Sequence, residues 1–463
     1  MNGRRRRISR TDEIVDQDFY ALRFRRVAAH LAREHFSFWM ICCYLLFEYV
    51  RPQAIWTSID VLPWATAFLA LTLVGLLLDR NKRWVSDPAN WLITAYMLAF
   101  LAASISAVYP DWAWKYFKEM LSWYVVYFLV VNTVTTERRL LVFIGIFLLA
   151  SYKLSFFGAR TWIMRGFSFE AWGIQGPHGF FMNSGELTVQ MLMFAPVAYY
   201  LAAFMRPHIS RLKYAVLMTL PITAALTVLG ASSRGSQLGL AYQSYRIFLK
   251  ERVTVKGIAL VAAVAAIGWN LLPAEQKERF AEAGSDSTSE QRLLYWKHGL
   301  EMIRDHPVLG VGPFNFPPYY EEHWPEDLLM GSTQVPHNIF IQIGTDTGVT
   351  GLLIFVALIW RSFVVARSVR AMDLRDKPFG ALANGFIISL WGFLIAGQFV
   401  TIAYYPFFWM NLAMTVALGS IARRCERERC PASVDAKVEF ESQRQQPSQL
   451  GRHGALRSMR RKL

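Results

Sequence analysis

The sequence is poor in charge and in cysteine, and each scarcity excludes a class of protein. Charged residues make up 18% of the chain and hydrophobic residues 54%, which is too apolar for a soluble domain of this length. The cysteines number 4 and form no CxxC pair, because Cys42 and Cys43 lie in an apolar run, whereas Cys425 and Cys430 lie in the basic C-terminal tail. This spacing indicates neither a disulfide framework nor a zinc site. Walker A and Rossmann glycine motifs are also missing, so the sequence implies no nucleotide, and we expect no cofactor and no metal.

What the chain has instead is a series of apolar blocks long enough to cross a bilayer. We predict an all-α, polytopic membrane protein with about twelve transmembrane helices. The predicted spans are 36–50, 61–78, 89–108, 119–134, 140–157, 186–205, 212–230, 236–249, 257–272, 348–366, 380–399 and 405–422. The eighth span is short and carries Gln237, Tyr242 and Gln243, so it should face other helices or a cavity rather than lipid.

The net charge of +15 is distributed as expected for a membrane protein rather than for a nucleic-acid-binding protein. Of the 49 Lys and Arg residues, 37 fall on one side of the predicted spans. The positive-inside rule therefore puts both termini in the cytoplasm and the polar segment 273–347 on the opposite side. The basic arm 1–35 and the basic tail 423–463 are expected to be disordered and to lie near anionic lipid.

The long polar segment, 273–347, separates the first nine predicted spans from the last three. It ends in Val335-Pro336-His337-Asn338 and leads into an apolar run that contains Gln342. An isolated histidine at a membrane interface most often bonds a backbone carbonyl. Here the preceding proline fixes the backbone and the following asparagine can orient or cap, which favours a general base, because histidine titrates near neutral pH.

A second candidate is Arg234, in the turn Ser232-Ser233-Arg234-Gly235-Ser236 between the seventh and eighth spans. An arginine on this outer side opposes the charge bias of the other short turns. It could simply reach towards the lipid headgroups. It could also face inward and bind a phosphate through paired hydrogen bonds, since the glycine and serines allow close approach of the backbone.

A third candidate lies on a helix inside the long segment. Ser287 and Glu290 form a plausible capping box, and apolar residues follow at helical spacing, which predicts an amphipathic helix over 289–305. Arg292 and Tyr295 fall in its first half. From spacing alone, Arg292 is more simply a solvated charge on the helix face.

Two further segments carry weaker indications. The loop between the fifth and sixth spans contains His178 and is followed by Asn183; ordinary loop packing explains both, and a binding role is the alternative. The cluster from Glu321 to Asp327 lacks the regular spacing of a metal site, so we interpret it as a solvated acidic loop tip.

Three of these elements, in this order, resemble the O-antigen ligase and polymerase superfamily. They are Ser233-Arg234-Gly235, the stretch from Arg292 through Tyr295-Trp296 to Gly310 and Gly312, and Pro336-His337-Asn338 before Gly348. Twelve spans, cytoplasmic termini and a large outer loop between the ninth and tenth spans are also that family's layout. The resemblance covers roughly 180–420, whereas the first five spans look more like the O-glycosylation ligases that accompany exosortase systems.

The resemblance implies a bacterial inner-membrane enzyme whose active site faces the periplasm. Family members move a glycan from an undecaprenyl-diphosphate carrier to an acceptor hydroxyl. Arg234 and Arg292 match the family's diphosphate-binding arginines, and His337 matches its essential histidine. With these three as catalytic residues, we expect Asn338, Tyr295, Gln342, Asn183 and His178 to contribute to substrate binding.

Several alternatives stay open on the sequence. The acceptor could be a glycolipid, a growing polysaccharide or a protein, so a polysaccharide polymerase or a protein O-oligosaccharyltransferase of the same superfamily is the nearest alternative to a ligase. A twelve-span secondary transporter is the alternative from another class. Transporters more often show two matched halves and charged residues at midplane, and no internal repeat is visible in this chain.

Overall fold

The computed structural model of the protein describes residues 17–249 and 287–429, together with Asn270 and Lys277. Seven single residues within those ranges are not described: Arg33, Asn81, Arg83, Ala171, Trp172, Ser232 and Met330. The predicted ninth span, 257–272, and the segment 273–286 therefore lie outside the described residues, apart from Asn270 and Lys277.

The described residues form helices and contain no strand, which confirms the all-α prediction. In chain order the α-helices are α1 Phe24–Leu31, α2 Phe36–Val50, α3 Pro52–Ile55, α4 Trp64–Leu78, α5 Pro88–Ile105, α6 Pro110–Thr133, α7 Glu137–Met164, α8 Ser184–Met205, α9 Arg211–Gly230, α10 Arg234–Phe248, α11 Ser287–Asp305, α12 Phe316–His323, α13 Ile339–Ala371, α14 Phe379–Ala396 and α15 Pro406–Arg429. Short 3-10 segments occupy Thr57–Ile59, Arg206–His208 and Pro325–Asp327.

Of the described helices, 6 are long and apolar enough to cross a membrane by length and composition, namely α5, α7, α8, α9, α13 and α14. Two shorter apolar helices, α2 and α4, coincide with the first two predicted spans. These helices support a polytopic membrane protein. The count of twelve spans stays a prediction.

Helix α8 lies at the centre of the bundle and packs against α7, α9, α10 and α14. Its contact with α14 is close because Gly385 faces Val197. A Cβ at Gly385 would lie 2.8 Å from the Cα of Val197. Such small residues allow two helix backbones to approach each other in a membrane. The short polar helix α10 also packs on α14, where the buried Gln243 amide donates to the carbonyls of Leu192 and Ile388, as expected for a helix that faces other helices.

Helix α13 begins earlier than the sequence indicates. The polar segment was expected to continue to residue 347, but residues 339–347 are helical and join the apolar part of α13 through Gly348, whose φ of 66° interrupts the helix. The polar side chains of this first stretch are buried: Gln342, Thr345, Asp346 and Thr347. A helix that buries polar groups against other parts of the chain lacks the apolar pattern of a membrane span. The sequence therefore did not indicate that the helix begins before residue 348.

The end of the bundle that carries the N-terminal arm is also more ordered than expected. The arm was predicted to be disordered, but Lys213 Nζ donates to the carbonyls of Ala21 and Leu22, and the Tyr20 hydroxyl donates to Glu137. These contacts tie the described part of the arm to the ends of α7 and α9. Internal contacts divide the chain into Met1–Ile421 and Ala422–Leu463. The described part of the second unit is the helical end of α15, within the predicted disordered tail.

Candidate functional site

At the opposite end of the bundle, connecting segments that are far apart in the sequence bond to one another. Val108 N donates to Val311 O at 2.9 Å, and Tyr109 N donates to Asn315 Oδ1 at 2.6 Å. The Arg51 guanidinium donates to the carbonyl of His178. The described part of the long polar segment, residues 287–347, thus contacts the ends of the neighbouring helices.

His337 occupies a strained position directly before α13. Its φ of 51° lies in the left-handed region, which a non-glycine residue adopts only where its surroundings hold it there. Its backbone amide donates to Thr401 Oγ1 at 2.7 Å, and its Nε2 lies 3.1 Å from Gln334 Oε1. If Nε2–H donates to that oxygen, the lone pair of the neutral imidazole is on Nδ1.

Helix α11 holds the residues that precede His337. The Trp296 indole donates to Pro336 O at 3.0 Å, and the Tyr295 hydroxyl accepts from Gln334 N at 2.9 Å. Tyr295 is 1% exposed, and burial raises its pKa. It therefore offers little surface to a substrate and instead anchors the chain next to the histidine.

Arg292 lies one helical turn before these two aromatic residues and acts on His337 electrostatically. Burial is the larger cause, and the Arg292 charge the smaller, of a His337 pKa lowered from 6.5 to about 4. Both effects disfavour the imidazolium form. Both effects thus favour the neutral imidazole, the form that a general base requires, in the protein without a bound anion.

The sequence indicated that Arg234 lies in the turn before the eighth span. In the structure, Arg234 is instead the first residue of α10. Ser233 caps the helix by accepting from Ser236 N. Gly235 packs closely on Phe399, since a Cβ there would lie 2.6 Å from the Phe399 ring. The same ring contacts Trp296, with 6.5 Å between ring centroids. The phenylalanine therefore connects the start of α10 with the part of α11 that carries Arg292.

The linker between α14 and α15, residues 397–405, is the common support of these elements. Asn338 caps α13 through its Oδ1, which accepts from Phe340 N and Ile341 N. Its Nδ2 donates to Gln398 in the linker. Gln342, 5% exposed, accepts from Ala403 N at 3.1 Å. Both side chains are thus engaged in holding α13 to the linker.

The start of α8 reaches the same linker. A Cβ at Gly185 would lie 3.3 Å from Val400, and the Tyr405 hydroxyl donates to Glu186 at 2.9 Å. The Asn183 backbone and side-chain amides donate to the Glu186 carboxylate. The amino ends of α8, α10 and α13 therefore converge on one segment, and helix amino ends favour anions through their backbone N–H groups.

The structure places three of the predicted site residues near one another, because the Arg292 charge acts on His337 and Asn338 follows the histidine. The start of α10, which carries Arg234, approaches them where Gly235 packs on Phe399. Asn183 reaches the linker from its other side through Glu186. His178 is exposed and makes its described contact through its backbone carbonyl, so the structure gives its imidazole no site contact.

Sequence reasoning missed the linker itself. Phe399 falls at the end of the eleventh predicted span, and Thr401 lies in the short stretch between the eleventh and twelfth predicted spans. Two polar residues, Gln398 and Thr401, on the predicted outer side were the available indication. The pairing of Thr401 with the backbone of His337 depends on contacts across 64 residues of sequence, which local patterns do not reveal.

The acidic segment 321–327 is largely exposed, as predicted, and its carboxylates also contact other parts of the chain. Asp327 Oδ2 lies 2.6 Å from His298 Nε2, the Tyr109 hydroxyl donates to Glu322, and Glu321 accepts from Thr333 N at 3.1 Å. His298 also lies 2.7 Å from Glu301 through its Nδ1. These carboxylates fasten the polar segment to itself and to the start of α6.

Two comparisons with known proteins gave a match, and the first covers the part of the chain that contains these residues. Residues 219–356 match the family model described as "O-Antigen ligase", a narrower range than the resemblance suggested. The range includes Arg234, Arg292 and His337. A Rickettsia felis protein named "Putative polysaccharide ligase" is 22% identical over 218 residues, which cover 46% of this chain and 53% of that protein. The chain thus spans about half the length of this relative.

Proposed function

We propose that this protein, which carries an O-antigen ligase domain at residues 219–356, transfers a glycan from an undecaprenyl-diphosphate carrier to an acceptor hydroxyl. The single observation that carries the proposal is that α11, which bears Arg292, bonds through Tyr295 and Trp296 to the residues directly before His337. The charge of Arg292 helps to keep His337 unprotonated. A base of this kind beside a guanidinium suits a reaction that removes a proton and expels an anion.

The anionic part of the donor would lie between Arg234 and Arg292. Guanidinium groups bind phosphate oxygens through paired hydrogen bonds. The first turns of α10 and α13 are capped by Ser233 and Asn338, but the positive ends of these two helix dipoles still favour an anion nearby. Together they can stabilise the charge that develops on the leaving diphosphate, with the energy of transfer already present in the glycosyl-diphosphate bond.

His337 would remove the proton of the acceptor hydroxyl. The acceptor oxygen then forms a bond to the anomeric carbon while the bond from that carbon to the diphosphate oxygen breaks. The leaving diphosphate keeps the bonding electron pair, and the proton stays on the imidazole, which can return it to solvent. Direct attack from the face opposite the leaving group inverts the anomeric carbon.

Three single substitutions test this proposal in cells that lack the native gene: Arg234→Ala, Arg292→Ala and His337→Ala. Each should abolish or strongly reduce transfer of the glycan at unchanged protein level. Arg304→Ala is the matched arginine control, because Arg304 lies on α11 but is 73% exposed in its side chain and pairs with Asp305. His208→Ala, at the opposite end of the bundle, is the matched histidine control.

Wild-type amounts of transferred glycan in the His337→Ala strain would refute the proposal. The acceptor is identified separately, by deleting the gene and analysing glycolipid, secreted polymer and glycoprotein. Loss from the glycolipid supports a ligase, loss of polymer length supports a polymerase, and loss from protein supports an oligosaccharyltransferase.

A further inference from the structure

A buried acidic residue in α13 has no assigned role in the proposed reaction. Asp346 lies at the end of the first helical stretch of α13 and is 1% exposed. Its Oδ1 accepts from Phe314 N at 3.0 Å, and its Oδ2 accepts from the Tyr404 hydroxyl at 2.9 Å. An ionisable side chain within a membrane protein is costly unless its polar atoms are bonded, and it commonly marks a functional position.

The two partners of Asp346 belong to different segments of the chain. Phe314 follows the turn after α11, and Tyr404 lies in the linker 397–405. The Trp123 indole donates to the Tyr404 carbonyl at 2.6 Å, which fixes that end of the linker to α6. The carboxylate therefore joins two segments that otherwise meet through ring contacts, with 5.1 Å between the centroids of Phe314 and Tyr404.

The turn after α11 also bonds to the backbone of α13 beside Asp346. Val311 N donates to Thr345 O, and Val349 N donates to Pro307 O, both at 2.8 Å. The Gly348 interruption leaves these backbone groups available, and a Cβ at Gly348 would collide with Val308. The turn after α11 thus packs against the interrupted part of α13, and the bond from Phe314 N to Asp346 attaches the end of the turn there.

Both joined segments lead back to His337. The linker contributes Thr401, whose hydroxyl accepts from His337 N. The turn is continuous with α11, whose Trp296 binds the carbonyl of Pro336. A displacement of either segment would move the imidazole relative to the two arginines.

We infer that Asp346 is a positioning residue that sets the geometry between His337 and the bound donor. The inference rests on the proposed function, because it assigns a role in that reaction. Asp346 acts through two hydrogen bonds and does not touch the substrate. Displacements of about 1 Å in an active site can lower a rate by roughly 10²-fold.

The test uses the full-length protein in nanodiscs, with lipid-linked glycan extracted from the producing strain as donor and that strain's acceptor fraction as acceptor. Asp346→Ala should lower kcat by roughly 10²-fold, with the KM for the donor changed by less than about threefold, because the arginines are untouched. It should also speed hydrogen exchange at the amides of residues 334–342. Tyr404→Phe removes one of the two bonds and should fall between Asp346→Ala and wild type.

Asp346→Asn provides the conservative rescue. Its amide oxygen can accept from Phe314 N, and its amide NH2 can donate to the Tyr404 oxygen, so kcat should return to within about fivefold of wild type. Asp87→Ala is the control for the loss of a buried carboxylate, since Asp87 pairs with Arg361 through bonds of 2.9 and 2.7 Å in another part of the bundle. It should lower stability without a selective loss of kcat or faster exchange at 334–342.

Two results would overturn the inference: a wild-type kcat for Asp346→Ala, or an Asp346→Asn variant as slow as Asp346→Ala. The second result would mean that the carboxylate acts through its charge or a proton. His337→Ala, measured in parallel, distinguishes failure of the proposed function from failure of the positioning role of Asp346. An active His337→Ala variant defeats the proposed function itself, whereas an inactive His337→Ala with a fully active Asp346→Ala defeats the positioning role alone.

Discussion

Replacing Arg292 by glutamine should move the acid limit of activity to higher pH. The drop of the His337 pKa from 6.5 to about 4 favours the neutral imidazole by about 3 kcal/mol. Burial is the larger cause and the Arg292 charge the smaller. Removing that charge should therefore raise the pKa of His337 by roughly one pH unit at most. The larger part of the lowering, which burial causes, should persist.

The direction of the change in activity with pH depends on which protonation form of His337 is active. Neutral His337 is the base, so the wild-type kcat/KM should stay level from neutral pH down towards about 4, where the folded protein binds the proton. The unfolded chain binds it already near its ordinary value of 6.5. Stability contributed by this group is therefore complete above that pH and is lost as the pH falls from 6.5 towards about 4.

The assay is the pH dependence of diethylpyrocarbonate modification at His337, detected by mass spectrometry in nanodiscs, combined with the pH profile of kcat/KM for wild type and of the residual activity of the variants. The reagent reacts with neutral imidazole, so it reports the protonation state without donor binding. Arg234→Gln is the matched control, because it removes a proposed donor contact but is not among the causes of the His337 shift. An acid limit identical in Arg292→Gln and wild type, or shifted equally in Arg234→Gln, would refute the reasoning.

Three further substitutions test the supports of the site. Thr401→Val should release the left-handed backbone of His337 and lower kcat by roughly tenfold or more, whereas Thr401→Ser, which keeps the hydroxyl, should stay near wild type; equal rates in the two variants would contradict this role. Gly235→Ala should displace Phe399 and raise the KM for the donor more than Gly380→Ala, where a Cβ meets nothing within 4 Å. Asn338→Ala should cost about 1 kcal/mol of stability through loss of the α13 cap, as measured by thermal unfolding, and Asn338→Asp should recover most of it.

Much of the helical architecture was readable from the sequence. The first predicted span, 36–50, coincides with α2, and the helix predicted over 289–305 lies within α11. In both cases the apolar spacing and the helix-ending residues are local properties of the chain. The failures fall where tertiary contacts override local pattern, as at residues 339–347, whose polar side chains are buried against other segments, and in the arm that binds Lys213.

The sequence by itself indicated a helical membrane protein, because composition and periodicity are written along the chain, and the order of its motifs nominated Arg234, Arg292 and His337 as candidate site residues. Only the tertiary structure decided how these residues meet. Thr401 and Phe399 belong to a linker with no recognisable motif, yet Thr401 bonds the backbone of His337 and Phe399 packs between Gly235 and Trp296. The pKa of the histidine likewise depends on burial and on a guanidinium from another helix, and these arise only when distant segments pack together.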